Sequence, residues 1–161
     1  GMKLRTMENK VHMAAFKAAG ISPTPMAWAE VYSALQQRVI DAQENPIAVI
    51  YSSKIYEVQK YLSLTGHVYS PALMIVSKKV WDAMPKDDQD IFIKTAKEAG
   101  IFERKTNRDA EEAKIKDMES KGLVVTRKVN QEAWGKAMAP AYEEFAKQFG
   151  KDKMDAIINT K

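Results

Sequence analysis

Apolar residues recur along this chain at two spacings. Asn9 stands before Val11, Ala14, Ala15 and Ala18, which share one helical face, so a capped helix is predicted to about Ala19, with Gly20 ending it. Ser22-Pro-Thr-Pro25 then forces an extended connection, because each proline pushes the residue before it out of the helical region. Trp28, Val31, Tyr32, Leu35 and Val39 predict a second helix, from Trp28 to about Arg38. Pro46 suits the start of a third, with Ile47, Val49 and Ile50 behind it, and Lys54 to Leu64 reads as amphipathic or extended.

Short β-prone runs interrupt the helices. Lys3 to Thr6 and Leu123 to Thr126 read as strands, and Val68 to Ser77 reads as a buried strand broken near Pro71. Ser77 opens a short helix to Ala83, and Pro85 starts the longest helical run, Lys86 to Lys121. Ile91, Phe92, Ala96, Ala99 and Phe102 make its first half apolar. The stripe fades beyond Ala110, the pattern of a helix that bridges two bodies. Asn130 caps a last amphipathic helix carrying Trp134, Met138, Tyr142, Phe145 and Phe149, in which Pro140 predicts a kink or a split. Strands alternating with helices make the fold class α/β.

Composition narrows the function. The 161 residues suffice for one core, and no apolar run approaches the ~18 residues of a membrane span. No secretory leader is legible at Lys3-Leu-Arg5. The chain has no cysteine, which removes disulfides, thiolate metal sites and cysteine nucleophiles. Residues 1–80 hold nine Lys/Arg against five Asp/Glu, while residues 81–161 hold sixteen of each, so the net +4 lies in the first half and favours an anionic ligand there, or is a mildly basic solvated surface. The seven glycines form no phosphate-cradling motif, and no Gly-x-Ser-x-Gly occurs. His12 and His67 lack metal-ligand spacing, and basic residues are mixed with acids rather than striped. The expectation is therefore no enzyme, no cofactor, no metal and no nucleic acid.

Three blocks carry a resemblance: Pro25-Met-Ala-Trp-Ala-Glu-Val-Tyr32, Gln43-Glu-Asn-Pro46, and Tyr56-Glu-Val-Gln-Lys-Tyr-Leu-Ser-Leu-Thr-Gly-His67. At these spacings, with Lys3-Leu-Arg5 before them and Ser77-Lys-Lys-Val-Trp-Asp-Ala-Met-Pro85 after, the chain resembles the second half of TRAP-transporter solute-binding proteins of the DctP-like family. The likeness is looser beyond Ala99. It implies a periplasmic α/β fold of two lobes, of which this chain supplies the second lobe plus a long crossing helix and C-terminal helices. Residues 1–67 would be the ligand-binding lobe segment and 68–85 the crossing strand and hinge. Residues 86–161 would be the long helix, short strand and C-terminal helices that pack on the first lobe.

The resemblance also implies site residues. Arg5 falls where the family holds a ligand carboxylate, and a guanidinium fork matches a carboxylate bidentately; read alone, it is a surface ion pair. Asn45 falls on the family's ligand-contacting asparagine, although asparagine before proline is also turn chemistry, and Ala42 stands where the family usually has glycine. Trp28 lines the pocket in the family and starts an apolar stripe here, and a tryptophan is large enough to do both. His67 matches a histidine near the hinge, a position equally suited to a structural role. Glu44 and Tyr69 are weaker candidates.

The implied function is capture of a carboxylate, such as a C4-dicarboxylate, for delivery to TRAP membrane subunits. The alternatives are a truncated product that binds nothing and a self-associating helical module that binds protein through the aromatic C-terminal helix. Trp134, Tyr142, Phe145 and Phe149 are expected to lack their usual partners, which predicts a dimer or swapped oligomer.

Overall fold

A computed structural model describes residues 1–160. The chain opens with β1 (Lys3–Thr6), α1 (Lys10–Ala18), β2 (Ser22–Pro25), α2 (Trp28–Gln36), β3 (Ala42–Gln43) and α3 (Ile47–Ser52). A 3-10 turn (Ile55–Glu57) leads to β4 (Tyr61–Ser63). Beyond residue 77 come α4 (Lys78–Ala83), α5 (Lys86–Ser120), β5 (Val124–Thr126), α6 (Gln131–Phe149) and α7 (Lys151–Ile158).

All strand pairs are parallel. β1 lies between β2 and β3, with Arg5 opposite Thr24 on one side and Gln43 on the other. β4 and β5 form a separate pair, Leu62 opposite Val125. The extended Ser22–Pro25 segment is thus an edge strand. The N–H groups of Ser22 and Met26 face β1 and donate to Met2 and Thr6, which turns the nitrogens of Pro23 and Pro25 outward, where a missing donor costs nothing.

Local chemistry sets several element ends. The Asn9 carboxamide accepts from the N–H groups of Val11 and His12 at 2.9 and 3.1 Å, and Asn130 accepts from Ala133 at 2.9 Å. Gly20, at φ 78°, takes the left-handed turn that closes α1. α6 runs unbroken through Pro140, at an exposed position where the carbonyl freed by the ring is not forced into an apolar core.

The main core joins α2, Ile40, α3, the 3-10 turn and the far end of α5. Val31, Leu35, Ile40, Ile50, Ile55, Ile115, Met118 and Leu123 are buried together. The long helix is held to this core by its sparse end. Its sparse C-terminal end is anchored by Ile115 and Met118, whereas the apolar first half is exposed, Ile101 and Phe102 by 62% and 72%. Two isolated apolar residues one turn apart suffice to fix a helix end when both are fully buried.

Other expectations are corrected too. In α1 the buried residue is Phe16, while Val11 and Ala18 are exposed; one phenyl ring outweighs the alanine face in buried area. α2 stops at Gln36, and Val39 is exposed beyond it. Residues 68–77 form no strand. A strand exists only with a neighbour to pair with, and neither sheet of the described residues extends to this run, which stays exposed. In α6, Phe145 is buried and Trp134 half-buried, because the helix lies against α1; Tyr142 and Phe149 remain exposed.

Candidate functional site

The three-stranded parallel sheet gathers polar groups at the C-terminal ends of its strands. In open parallel sheets, that is where ligand crevices form. β1 brings Arg5, the residues after β2 bring Met26 and Trp28, and those after β3 bring Glu44 and Asn45.

Arg5 occupies the central strand rather than a sheet edge, and is 5% exposed. Its Nε and Nη2 both donate to the Met26 carbonyl, at 3.0 and 2.8 Å, and its guanidinium carbon sits 5.3 Å from the centre of the Trp28 ring. A carbonyl and a ring face fix the plane of the fork without neutralising it. Among the described residues, no carboxylate lies within ion-pair distance of Arg5. Burial pushes the guanidinium below its ordinary value, and the more distant Glu44 opposes this. A buried positive charge held by neutral groups is a strong local attractor for an anion.

Glu44 and His67, 23 residues apart, form the second feature. Glu44 Oε2 lies 3.2 Å from His67 Nε2, with both side chains mostly shielded. The carboxylate only accepts, so His67 Nε2 carries a proton toward it, and Nδ1 lies 2.6 Å from the Thr65 hydroxyl. The imidazole is held edge-on by Phe16 of α1 at 5.4 Å and stacked by Trp134 of α6 at 6.4 Å. The hydrogen bond from His67 holds the Glu44 carboxyl below its ordinary value; burial opposes this, and the positive fields of His67, His12 and Arg5 reinforce it. One ring therefore ties together the β3 loop, the segment after β4, α1 and α6.

Asn45 follows Glu44 directly. Its Nδ2 donates to Gln43 Oε1 at 2.8 Å, which orients the amide beside the strand that pairs with Arg5. The structure thus brings Arg5 against Trp28 and Glu44 against His67, with Asn45 on the loop between the two pairs. Tyr69 stands apart, 87% exposed. Sequence reasoning gave no part to the Met26 carbonyl, to Thr65 or to Phe16. A backbone acceptor leaves no trace in residue identity, but Phe16 is visible as the one phenyl ring in α1.

The family model described as DctP, bacterial extracellular solute-binding protein, family 7, matches residues 1–148. The chain belongs to the DctP family. A solute-binding protein of Verminephrobacter eiseniae is 46% identical over 158 residues, covering 98% of this chain and 47% of that protein. The 2,3-diketo-L-gulonate-binding periplasmic protein YiaO of Escherichia coli is 41% identical over 138 residues, 86% of this chain and 42% of its own. A crystal structure of a TRAP periplasmic solute-binding protein from Polaromonas sp. JS666, bound to D-erythronate, superposes with a TM-score of 0.94 at 50% identity, over 100% of this chain and 53% of that one. The chain spans about half the length of the relatives it matches. Its α/β architecture is that of one lobe of a two-lobed DctP-family protein.

Proposed function

We propose that this chain is the carboxylate-holding part of an extracytoplasmic TRAP receptor. Arg5 forms the charged contact, Trp28 and Asn45 line the pocket, and His67 holds its rear wall through Glu44. The observation that carries this reading is Arg5: a buried guanidinium at the mouth of a parallel sheet, fixed in plane by Met26 and Trp28 and, among the described residues, without a carboxylate at ion-pair distance. Residues 1–67 supply the contacts, 68–85 the crossing and hinge, and 86–161 the long helix and its followers. The chain performs no chemistry on its ligand; it hands the acid to membrane subunits from the periplasm. The named ligands of the relatives, D-erythronate and 2,3-diketo-L-gulonate, are hydroxylated acids, which supports a carboxylate bearing further oxygens, with a C4-dicarboxylate as the alternative. The same reading includes self-association, because so much apolar surface is exposed.

A thermal-shift screen with D-erythronate, galactonate, succinate and malate tests the proposal, with Arg5→Ala as control. A dose-dependent rise in Tm with one acid, absent in the variant, is the expected result. A flat response to all four from folded protein would overturn acid binding by this chain and leave the self-associating module as the better reading.

A further inference from the structure

The His67 side chain is 17% exposed and meets Glu44 at 3.2 Å, so whatever orients its ring also orients the loop that carries Asn45. That orientation comes from a short turn after β4. The Leu64 N–H donates to the Thr126 carbonyl at the end of β5 at 3.0 Å, and the Thr65 N–H donates to the Ser63 carbonyl at 2.9 Å. Gly66 follows at φ 54°, a left-handed conformation in which a side chain is strained. This geometry places the Thr65 hydroxyl 2.6 Å from His67 Nδ1. A hydroxyl both donates and accepts, so it satisfies Nδ1 with or without a proton there.

The turn is also held from far along the chain. Gln131, the first residue of α6, donates from Nε2 to the Thr65 carbonyl at 2.7 Å, across 66 residues. The same nitrogen stands 3.8 Å from where a Cβ on Gly66 would be, so the amide lies against the bare side of the glycine. Three residues further on, Trp134 stacks on the His67 ring at 6.4 Å. Helix positions three apart share a face, so α6 holds the turn with one side chain and the ring with the next. Gln131 itself is exposed, and Asn130 supplies the cap of α6, so the bond to Thr65 adds little to the helix.

We infer that Thr65 and Gln131 are positioning residues for the acid site. Gln131 fixes the turn, Thr65 fixes the His67 imidazole through Nδ1, and His67 passes the constraint to Glu44 and so to the neighbouring Asn45. Every contact in this series is made within the described residues. The inference rests on the acid-holding role proposed above, and it gives the start of α6 a share in that role.

Calorimetric titration of the full chain with D-erythronate, together with NMR of the imidazole nitrogens, tests it on Thr65→Val, Thr65→Ser and Gln131→Met. Valine keeps the shape of threonine without the hydroxyl, and serine restores the hydroxyl. Methionine keeps the length and helix propensity of glutamine without the donor. Thr65→Val should bind the acid at least ~10-fold more weakly and Gln131→Met at least ~3-fold, while Thr65→Ser stays within ~2-fold of wild type. The His67 ring resonances should move in Thr65→Val and return in Thr65→Ser, with His12 as the internal reference. Tm of Gln131→Met should match wild type. Wild-type affinity in both Thr65→Val and Gln131→Met, or His67 resonances unmoved by valine, would overturn the positioning role and leave acid binding intact. Affinity that falls only in step with Tm would mark the bonds as structural and overturn it as well. Folded wild type that takes up no acid would overturn the acid-holding role, and the positioning role with it.

Discussion

Met118→Ala tests how the long helix is anchored. Met118 is completely buried near the C-terminal end of α5, in one cluster with Ile115, Leu123, Ile50 and Ile55. Truncating a buried methionine to alanine costs ~2–5 kcal/mol, the removed methylenes plus the cavity left behind. The upper half of that range applies here, because the site is walled by α3, the 3-10 turn and β5 and cannot collapse easily. Against a total stability of ~5–15 kcal/mol, that is a large fraction. Equilibrium urea unfolding followed by circular dichroism should show the midpoint falling with an unchanged slope, and Tm falling by roughly 5–15 °C for a chain of this size. Lys116→Ala is the control. Its ammonium is 4.0 Å from Glu112 with the side chain 70% exposed, so the change should stay within ~0.5 kcal/mol. A Met118→Ala loss below ~1 kcal/mol would refute the claim that the sparse end of α5, rather than its apolar first half, holds the helix to the lobe.

Two further predictions follow from single contacts. Asn9→Ala removes the acceptor for the N–H groups of Val11 and His12 and should cost about 1 kcal/mol in urea unfolding. Glu44 is held below its ordinary value, 4.5, by His67 and its other cationic neighbours. A carboxyl depressed in the folded state stabilises the protein fully above its unfolded value, and that stabilisation is lost as pH falls through the lower folded value. The stability difference between wild type and Glu44→Gln should therefore be greatest above the ordinary carboxyl value of 4.5 and shrink as pH falls below it in urea titrations.

What could be read from sequence was what local chemistry decides. Asn9 and Asn130 announce their caps because the side chain bonds the next turn, and Pro46 marks the start of α3 because its ring allows little else. What could not be read depends on neighbours remote in sequence. Val68 to Ser77 has the composition of a buried strand, but pairing is not encoded in the strand itself. The prolines of Ser22–Pro25 argue against a strand until the outward direction of their nitrogens is known. Which half of α5 is buried is settled by α3 and β5, not by its own stripe. The same division holds at the site. Arg5, Trp28, Asn45 and His67 were named from short motifs, yet the cradle of Arg5 is a backbone carbonyl 21 residues away, and the partner of His67 lies 23 residues back.

Isothermal titration of the chain with D-erythronate, wild type against Arg5→Lys, tests the central claim most directly. Lysine keeps the charge but loses the planar fork fixed by Met26 and Trp28. The account predicts 1:1 binding by wild type and at least ~10-fold weaker binding by the variant. Equal affinity in the two proteins, or no heat from folded wild type, would contradict it.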